Sequence, residues 1–153
     1  MNLHMRAARS TDAGQLGEIL GEAVAANHWK PQLHSAAQDV AHMGDLIDRG
    51  WVHLCERGDQ VLGFIARNDT SVQSLYVRSA AQNEGVGAML LNNAKTECDR
   101  LELWTFQANI GAQRFYMRHG FTEAERTNGA GNEEGLPDIR YVWAAPKGDS
   151  DNG

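Results

Sequence analysis

The stretch 82-QNEGVG-87 stands between an alternating segment, 71-SVQSLYV-77, and an apolar run, 88-AMLL-91. Gly85 and Gly87 therefore lie where a predicted strand gives way to a predicted helix. The first amides of a helix lack intrahelical partners, and its dipole puts partial positive charge at that end. Glycines let a ligand approach the backbone closely and permit unusual φ values. The pattern suits an anion, most naturally a pyrophosphate. It equally suits a tight strand-to-helix turn with no ligand, since paired glycines are common. Two other nucleotide motifs fail on detail. A dinucleotide fingerprint needs a third glycine at position 90, where Leu90 stands, and no Gly-Lys-Ser/Thr tripeptide of a P-loop occurs.

Around this turn, 153 residues are enough for one domain with a single core. The formal net charge of −6 argues against an electrostatic grip on nucleic acid. No apolar run approaches the ~20 residues of a membrane span, and the first residues, 1-MNLHMRAARSTDAG-14, lack the apolar stretch of a signal peptide. Cys55 and Cys98 occur without a CxxC pair. A reduced, cytoplasmic protein is the simple expectation, and one disulfide is the other reading. The six histidines include no HExxH, and His28, His34 and His42 lack i,i+4 spacing, so no metal site is expected.

Leu3 to Ala8 alternate as a short strand. Ser10 or Thr11 is expected to cap a helix whose buried face carries Leu16, Ile19, Leu20 and Ala23. The segment 27-NHWKPQLHS-35 breaks the pattern at Pro31, and Ser35 with Gln38 forms a candidate capping box for a second helix ending at Gly50. Residues 51-WVHLCE-56 and 61-VLGFIAR-67 flank 57-RGDQ-60 as a hairpin, and 68-NDT-70 turns the chain into 71-SVQSLYV-77. A helix from about Val86 to Cys98 follows, with Val86, Met89, Leu90 and Ala94 inward. Next come the strand 101-LELWTF-106, a helix capped by Asn109 and closed by Gly120, and two strands, 122-TEAERT-127 and 139-IRYVWA-144. Between the last two lies a polar, glycine-rich loop, 128-NGAGNEEGLPD-138. The predicted order is β-α-α-β-β-β-α-β-α-β-β over residues 1–146, with residues 147–153 as a disordered tail. Hairpins imply antiparallel pairs and the β-α-β crossover a parallel pair, so an α/β fold with one mixed sheet and helices on both faces is expected.

The stretch 75-LYVRSAAQNEGVGAMLL-91 resembles the Q/R-x-x-G-x-G/A signature of the GNAT acetyltransferase superfamily. A second stretch, 106-FQANIGAQRFYMRHGF-121, is similar to that family's other signature, in which an asparagine, an alanine, an aromatic-tyrosine pair and a final Gly-Phe recur. The element order is also that of the family, and 131-GNEEGLPDIRYVW-143 with 31-PQLHS-35 looks like one branch of small bacterial GNAT enzymes.

The resemblance implies an acetyl-CoA-dependent N-acetyltransferase working by direct transfer to a primary amine, on a small molecule or on a protein, as a monomer or homodimer. A CoA-binding sensor of the same fold is the alternative. Carried over position by position, pantetheine would lie along Leu75, Tyr76 and Val77. The pyrophosphate would sit on Gln82, Asn83, Glu84, Gly85, Val86, Gly87 and Ala88. Asn109 and Ala112 would contact the cofactor, and Tyr116 would stand near the thioester sulfur. Two residues depart from the family pattern. Asn83 replaces a glycine, and Glu84 stands where a basic or neutral residue is usual. A carboxylate there should repel a pyrophosphate. Glu84 is therefore expected to point away from the phosphates, to favour the helix dipole, or to pair with a base such as Arg78.

The reaction needs a neutral amine, yet at an unperturbed pKa of about 10.4 only a fraction on the order of 10⁻³ to 10⁻⁴ of a lysine-like amine is neutral at pH 7. Glu102 is one candidate base through a water, and a surface ion pair is its other reading. Glu133, Glu134 and Asp138 either attract a cationic acceptor or are simply solvated. Trp29, His34, Trp104 and Phe106 are candidates for the acceptor wall, with packing as the competing role. A free amide near Leu75 to Val77 would serve a developing oxyanion, and Tyr116, as a phenol, would donate a proton to the departing thiolate.

Overall fold

The structure is a computed structural model that describes residues 2–27 and 29–146. The expected tail at 147–153 lies outside the described residues. Seven strands and four helices follow the predicted order: β1 (His4–Ala7), α1 (Ala13–Ala26), α2 (Ala36–Asp48), β2 (Val52–Arg57), β3 (Gln60–Asn68), β4 (Ser71–Val77), α3 (Val86–Glu97), β5 (Arg100–Phe106), α4 (Ile110–Arg118), β6 (Thr122–Thr127) and β7 (Asp138–Ala144). Single 3₁₀ turns occupy Ser10–Asp12 and Ser79–Ala81. None of the described helices is long and apolar enough to cross a membrane.

Local chemistry accounts for most boundaries. At α2 the box forms as its residues suggest: the Gln38 amide donates to Ser35 Oγ at 3.2 Å, and the Ser35 amide donates to Gln38 Oε1 at 2.8 Å. At α1 the expectation fails. Ser10 and Thr11 belong to the 3₁₀ turn, and Asp12 is the cap position. The Asp12 carboxylate instead accepts from the Arg9 amide at 2.7 Å and from Arg6, which pulls it beneath the turn.

The sheet runs β1-β2-β3-β4-β5-β7-β6, and every pair except β4–β5 is antiparallel. Apolar clusters lie on its two faces. One holds Leu16, Ile19, Met43 and Phe64 under α1 and α2, and the other holds Leu90, Leu91, Tyr116, Phe121 and Tyr141 under α3 and α4. Both cysteines are free thiols: Cys55 is buried and Cys98 is partly buried.

The parallel pair is the exception that builds a site. Strands β4 and β5 are in register only at Ser71–Glu102 and Val72–Leu103, and then they diverge. Next to the divergence the β3–β4 register slips, with two β4 steps (Val72 to Ser74) against one on β3, so Gln73 is the extra residue of a bulge. Beyond it the Arg78 amide donates to Leu62 O at 2.8 Å. Backbone groups alternate sides along a strand, so the N–H and C=O of Leu75 and Val77 face the opened side. A sheet with seven paired strands thus keeps a short unpaired edge in its middle.

Candidate active site

The glycine turn is shaped by two positive φ angles, at Asn83 (φ 68°) and Gly85 (φ 85°). Left-handed backbone is routine for glycine and, among side-chain-bearing residues, most accessible to Asn and Asp. Asn83 therefore performs the conformational task of the glycine it replaces. Gly85 precedes α3 without any side-chain cap, and the Met89 amide is the donor that closes onto Gly85 O. The amides of Val86, Gly87 and Ala88 come before that bond and have no intrahelical acceptor. A side chain at Gly87 would bring its Cβ to 3.3 Å from the Phe115 ring, so α4 packs directly over the turn.

The residues that carry these amides line a groove of about 690 Å³. Along it lie the free edge of β4 at Leu75 to Val77, the turn residues Gln82, Asn83 and Gly85 to Ala88, and Asn109, Ala112 and Tyr116 from α4. Of the residues assigned to the cofactor, Glu84 alone does not line the groove. Its carboxylate accepts from Arg57 Nη1 at 2.7 Å, on the outer side of the turn. Arg78, the partner suggested by sequence, is engaged elsewhere. It donates to Val61 O at 2.6 Å and pairs with Glu18 at 3.1 Å and Glu22 at 3.9 Å. Strand pairing of β2 with β3 brings Arg57 to the turn, a contact 27 residues distant in sequence.

Tyr116 is almost fully buried, its ring 5.2 Å from Phe115, 5.6 Å from Phe121 and 6.4 Å from Tyr141. Its hydroxyl has no hydrogen-bond partner among the described residues, and Tyr116 lines the groove. Burial, and secondarily the neighbouring Tyr76, push its pKa above the ordinary phenol value. The group holds its proton throughout the neutral range. Asn109 caps α4, with Oδ1 accepting from the Ala112 amide at 3.0 Å, which leaves its side-chain nitrogen for the groove. Arg114, Arg118 and His119 also line the groove and were not singled out from sequence; the i,i+4 spacing of the two arginines was the available signal.

A second pocket, about 510 Å³, lies between α1, α2, segment 29–35, β4 and the 128–137 loop. Tyr76 lines both this pocket and the groove. Acidic groups from two elements, Asp39 of α2 and Glu133 and Glu134 of the loop, share its lining with His34 and His42. His34 Nε2 stands 3.0 Å from Glu133 Oε1, which raises the imidazole pKa and joins the two loops across the mouth. Lys30, also missed from sequence, places its ammonium 3.2 Å from Tyr76 Oη, 5.3 Å from the Tyr76 ring centroid and 5.6 Å from that of Phe106.

The remaining candidates separate. Trp29 packs edge-on against Phe106 at 5.6 Å and so backs Lys30 indirectly. Trp104 is 47% exposed and lines a third hollow with Gln73, Thr105, Phe106 and Asp138. Asp138 is buried and organises the 128–137 loop, accepting from Thr127 Oγ1 and from Asn132 Nδ2 at 3.1 Å. Glu102 lies between Arg140 at 3.5 Å and Arg100 at 3.7 Å and lines none of the three hollows.

This fold and groove coincide with a match of residues 20–144 to the family described as Acetyltransferase (GNAT) domain. The chain belongs to the GNAT acetyltransferase family. Solved structures share its fold at low identity. YncA from Salmonella typhimurium, solved with its cofactor acetyl-CoA, is 21% identical with a TM-score of 0.75, covering 96% of each chain. A GNAT-family acetyltransferase from Bacillus cereus is 14% identical with a TM-score of 0.77, covering 96% of this chain and 100% of the other. Ribosomal-protein-alanine N-acetyltransferase from Brucella melitensis is 22% identical with a TM-score of 0.72, covering 92% and 99%. No curated protein matches the sequence.

Proposed function

We propose that the protein is an N-acetyltransferase that moves an acetyl group from acetyl-CoA to a primary amine, with both substrates bound together. The observation that carries this reading is the meeting of groove and pocket at Tyr76, with Tyr116 lining the same groove. Bound acetyl-CoA would supply the activated thioester. Amides of the turn and of Val86 to Ala88 would hold its pyrophosphate, and the unpaired edge at Leu75 and Val77 would receive pantetheine. A free N–H on that edge is a donor for a carbonyl oxygen as charge develops there. Tyr116 holds a proton at Oη and would deliver it to a departing sulfur. Lys30, beside Tyr76, disfavours a second cation at the junction and so favours the neutral form of an entering amine.

The test is calorimetry with acetyl-CoA, followed by thiol release against a panel of primary amines. Binding together with amine-dependent thiol release supports the reading. Binding without release by any amine makes the protein a CoA-binding module, and absence of binding removes the cofactor assignment.

A further inference from the structure

The acceptor-side pocket is lined by both signs of charge. Its lining includes Lys30, whose ammonium lies 3.2 Å from Tyr76 Oη and close to the rings of Tyr76 and Phe106. Among the described residues no carboxylate pairs with Lys30. Of the carboxylates that line this pocket, Glu133 is engaged by His34. Asp39, Glu133 and Glu134 line the same pocket, with the exposed Glu133 at its mouth. A partly buried ammonium without a counter-ion is costly unless a ligand supplies the anion. Rings of Tyr76 and Phe106 beneath it limit where that anion can approach, namely from the pocket.

We propose that the acceptor is an α-amino acid with a cationic side chain, its carboxylate held by Lys30 and its cationic end directed at the acidic mouth. The inference rests on the acetyltransferase reading and refines it. Carboxylate and α-amine lie on one carbon, so anchoring the carboxylate at Lys30 leaves the amine beside Tyr76, where the pocket meets the groove. The side chain then shares the pocket with Asp39 and Glu134, which would receive its charge. A simple polycation would match the mouth but would set a positive group against Lys30. An acidic amino acid would match Lys30 but not the mouth.

Three probes separate these terms: L-arginine, agmatine, which is arginine without its carboxylate, and L-glutamate. Thiol release with acetyl-CoA should favour arginine over agmatine by about ten- to a hundredfold in kcat/KM, the range of a hydrogen bond to a charged group, and over glutamate in the same direction. Lys30→Met keeps the aliphatic stem over the rings and should bring the arginine-to-agmatine ratio toward one, while Lys30→Arg should restore it. A lysine that merely supports the fold would lower both rates and leave that ratio unchanged, which would overturn the proposal. So would agmatine turned over as well as arginine by the native protein, an outcome that leaves acetyl transfer itself standing. Calorimetry of arginine with the CoA-bound protein provides a readout without turnover. Lys30-dependent binding supports the proposal, and no binding overturns it. Failure of thiol release with every amine would instead remove the acetyltransferase reading.

Discussion

Arg57 Nη1 lies 2.7 Å from Glu84 Oε1, and this pair holds the carboxylate of the glycine turn away from the groove. The departure from the family's usual residue is thus compensated by a cation from the β2–β3 hairpin. The charge is neither left facing the groove nor left alone. At ~4 Å a carboxylate–phosphate repulsion would amount to about 1 kcal/mol in bulk water, and pairing with Arg57 reduces it further.

Glu84→Gln should therefore tighten acetyl-CoA only about twofold, because it frees Arg57 near the turn without removing a strong repulsion. The gain should vanish as salt is raised through the physiological range, where the Debye length is about 8 Å. Both side chains are partly exposed, so unfolding free energy should change by less than about 1 kcal/mol. Calorimetry at two ionic strengths decides the matter. Weakened binding by an intact Glu84→Gln protein would mean that the Arg57 pair organises the turn.

Asn83 gives a sharper backbone prediction. At φ 68° it occupies the left-handed region without being glycine. Asn83→Gly should fold normally and bind acetyl-CoA within about twofold of the native protein, since the conformation is open to it. Asn83→Val should lose about 1–2 kcal/mol and bind acetyl-CoA more weakly, because a β-branched residue resists this conformation. Urea denaturation and calorimetry on the two variants measure both effects. Equal stability of the two would show that the turn relaxes to negative φ at no cost.

These two residues also show what was legible in advance. The element order, the mixed sheet, the α2 capping box and the α4 cap at Asn109 came from local signals: periodicity, caps and turn residues act within a few positions. The groove was readable because its residues sit on two short motifs. Arg57 as the partner of Glu84 was not, because the contact depends on which strand edge approaches the turn. The role of Lys30 is not legible in the sequence for a similar reason. Within 27-NHWKPQLHS-35 it is one polar residue in a breaker segment, and only the fold sets it against Tyr76 and Phe106. Asp12 displaced Ser10 and Thr11 as the start of α1 because a distant cluster, Arg6 with Glu56, competed with local capping.

Tyr116→Phe should keep the fold and slow the reaction. The hydroxyl bonds to no described protein group, so its removal leaves no orphaned partner, and the melting temperature should hardly move. General acid catalysis is worth ~10²–10⁴-fold, and a loss near the lower end is expected where water substitutes. The effect should fall on kcat more than on KM. Because its pKa is raised, ionisation of Tyr116 should not produce a falling limb in the pH–rate profile between neutrality and the ordinary phenol range. Unchanged single-turnover rates in the Phe variant would leave Tyr116 a packing residue.

Acid stability should be governed by the cluster around Arg6. Its guanidinium donates to Asp12 at 2.8 and 2.9 Å and to Glu56 at 3.0 and 3.1 Å, and Asp12 is only 6% exposed. Hydrogen bonds from Arg6 are the largest cause holding both carboxyl groups below their ordinary pKa range. A carboxylate whose folded pKa is depressed contributes stability that is fully present above its unfolded pKa, about 4. That contribution declines as pH falls from there through the lower folded values. The His34–Glu133 pair has the opposite sign, present below the unfolded His pKa of about 6.5 and lost as pH rises, but both groups are well exposed and the term is small. Asp12→Ala should cost about 3 kcal/mol at neutral pH, because it removes the Arg9 cap and leaves Arg6 short of a partner in a mostly buried site. The same variant should lose less stability than the native protein between about pH 4.5 and pH 2, since one of the two titrating partners is gone. Urea midpoints measured across that window for both proteins provide the check. Parallel curves, with the variant merely offset, would show that Asp12 does not carry the acid transition.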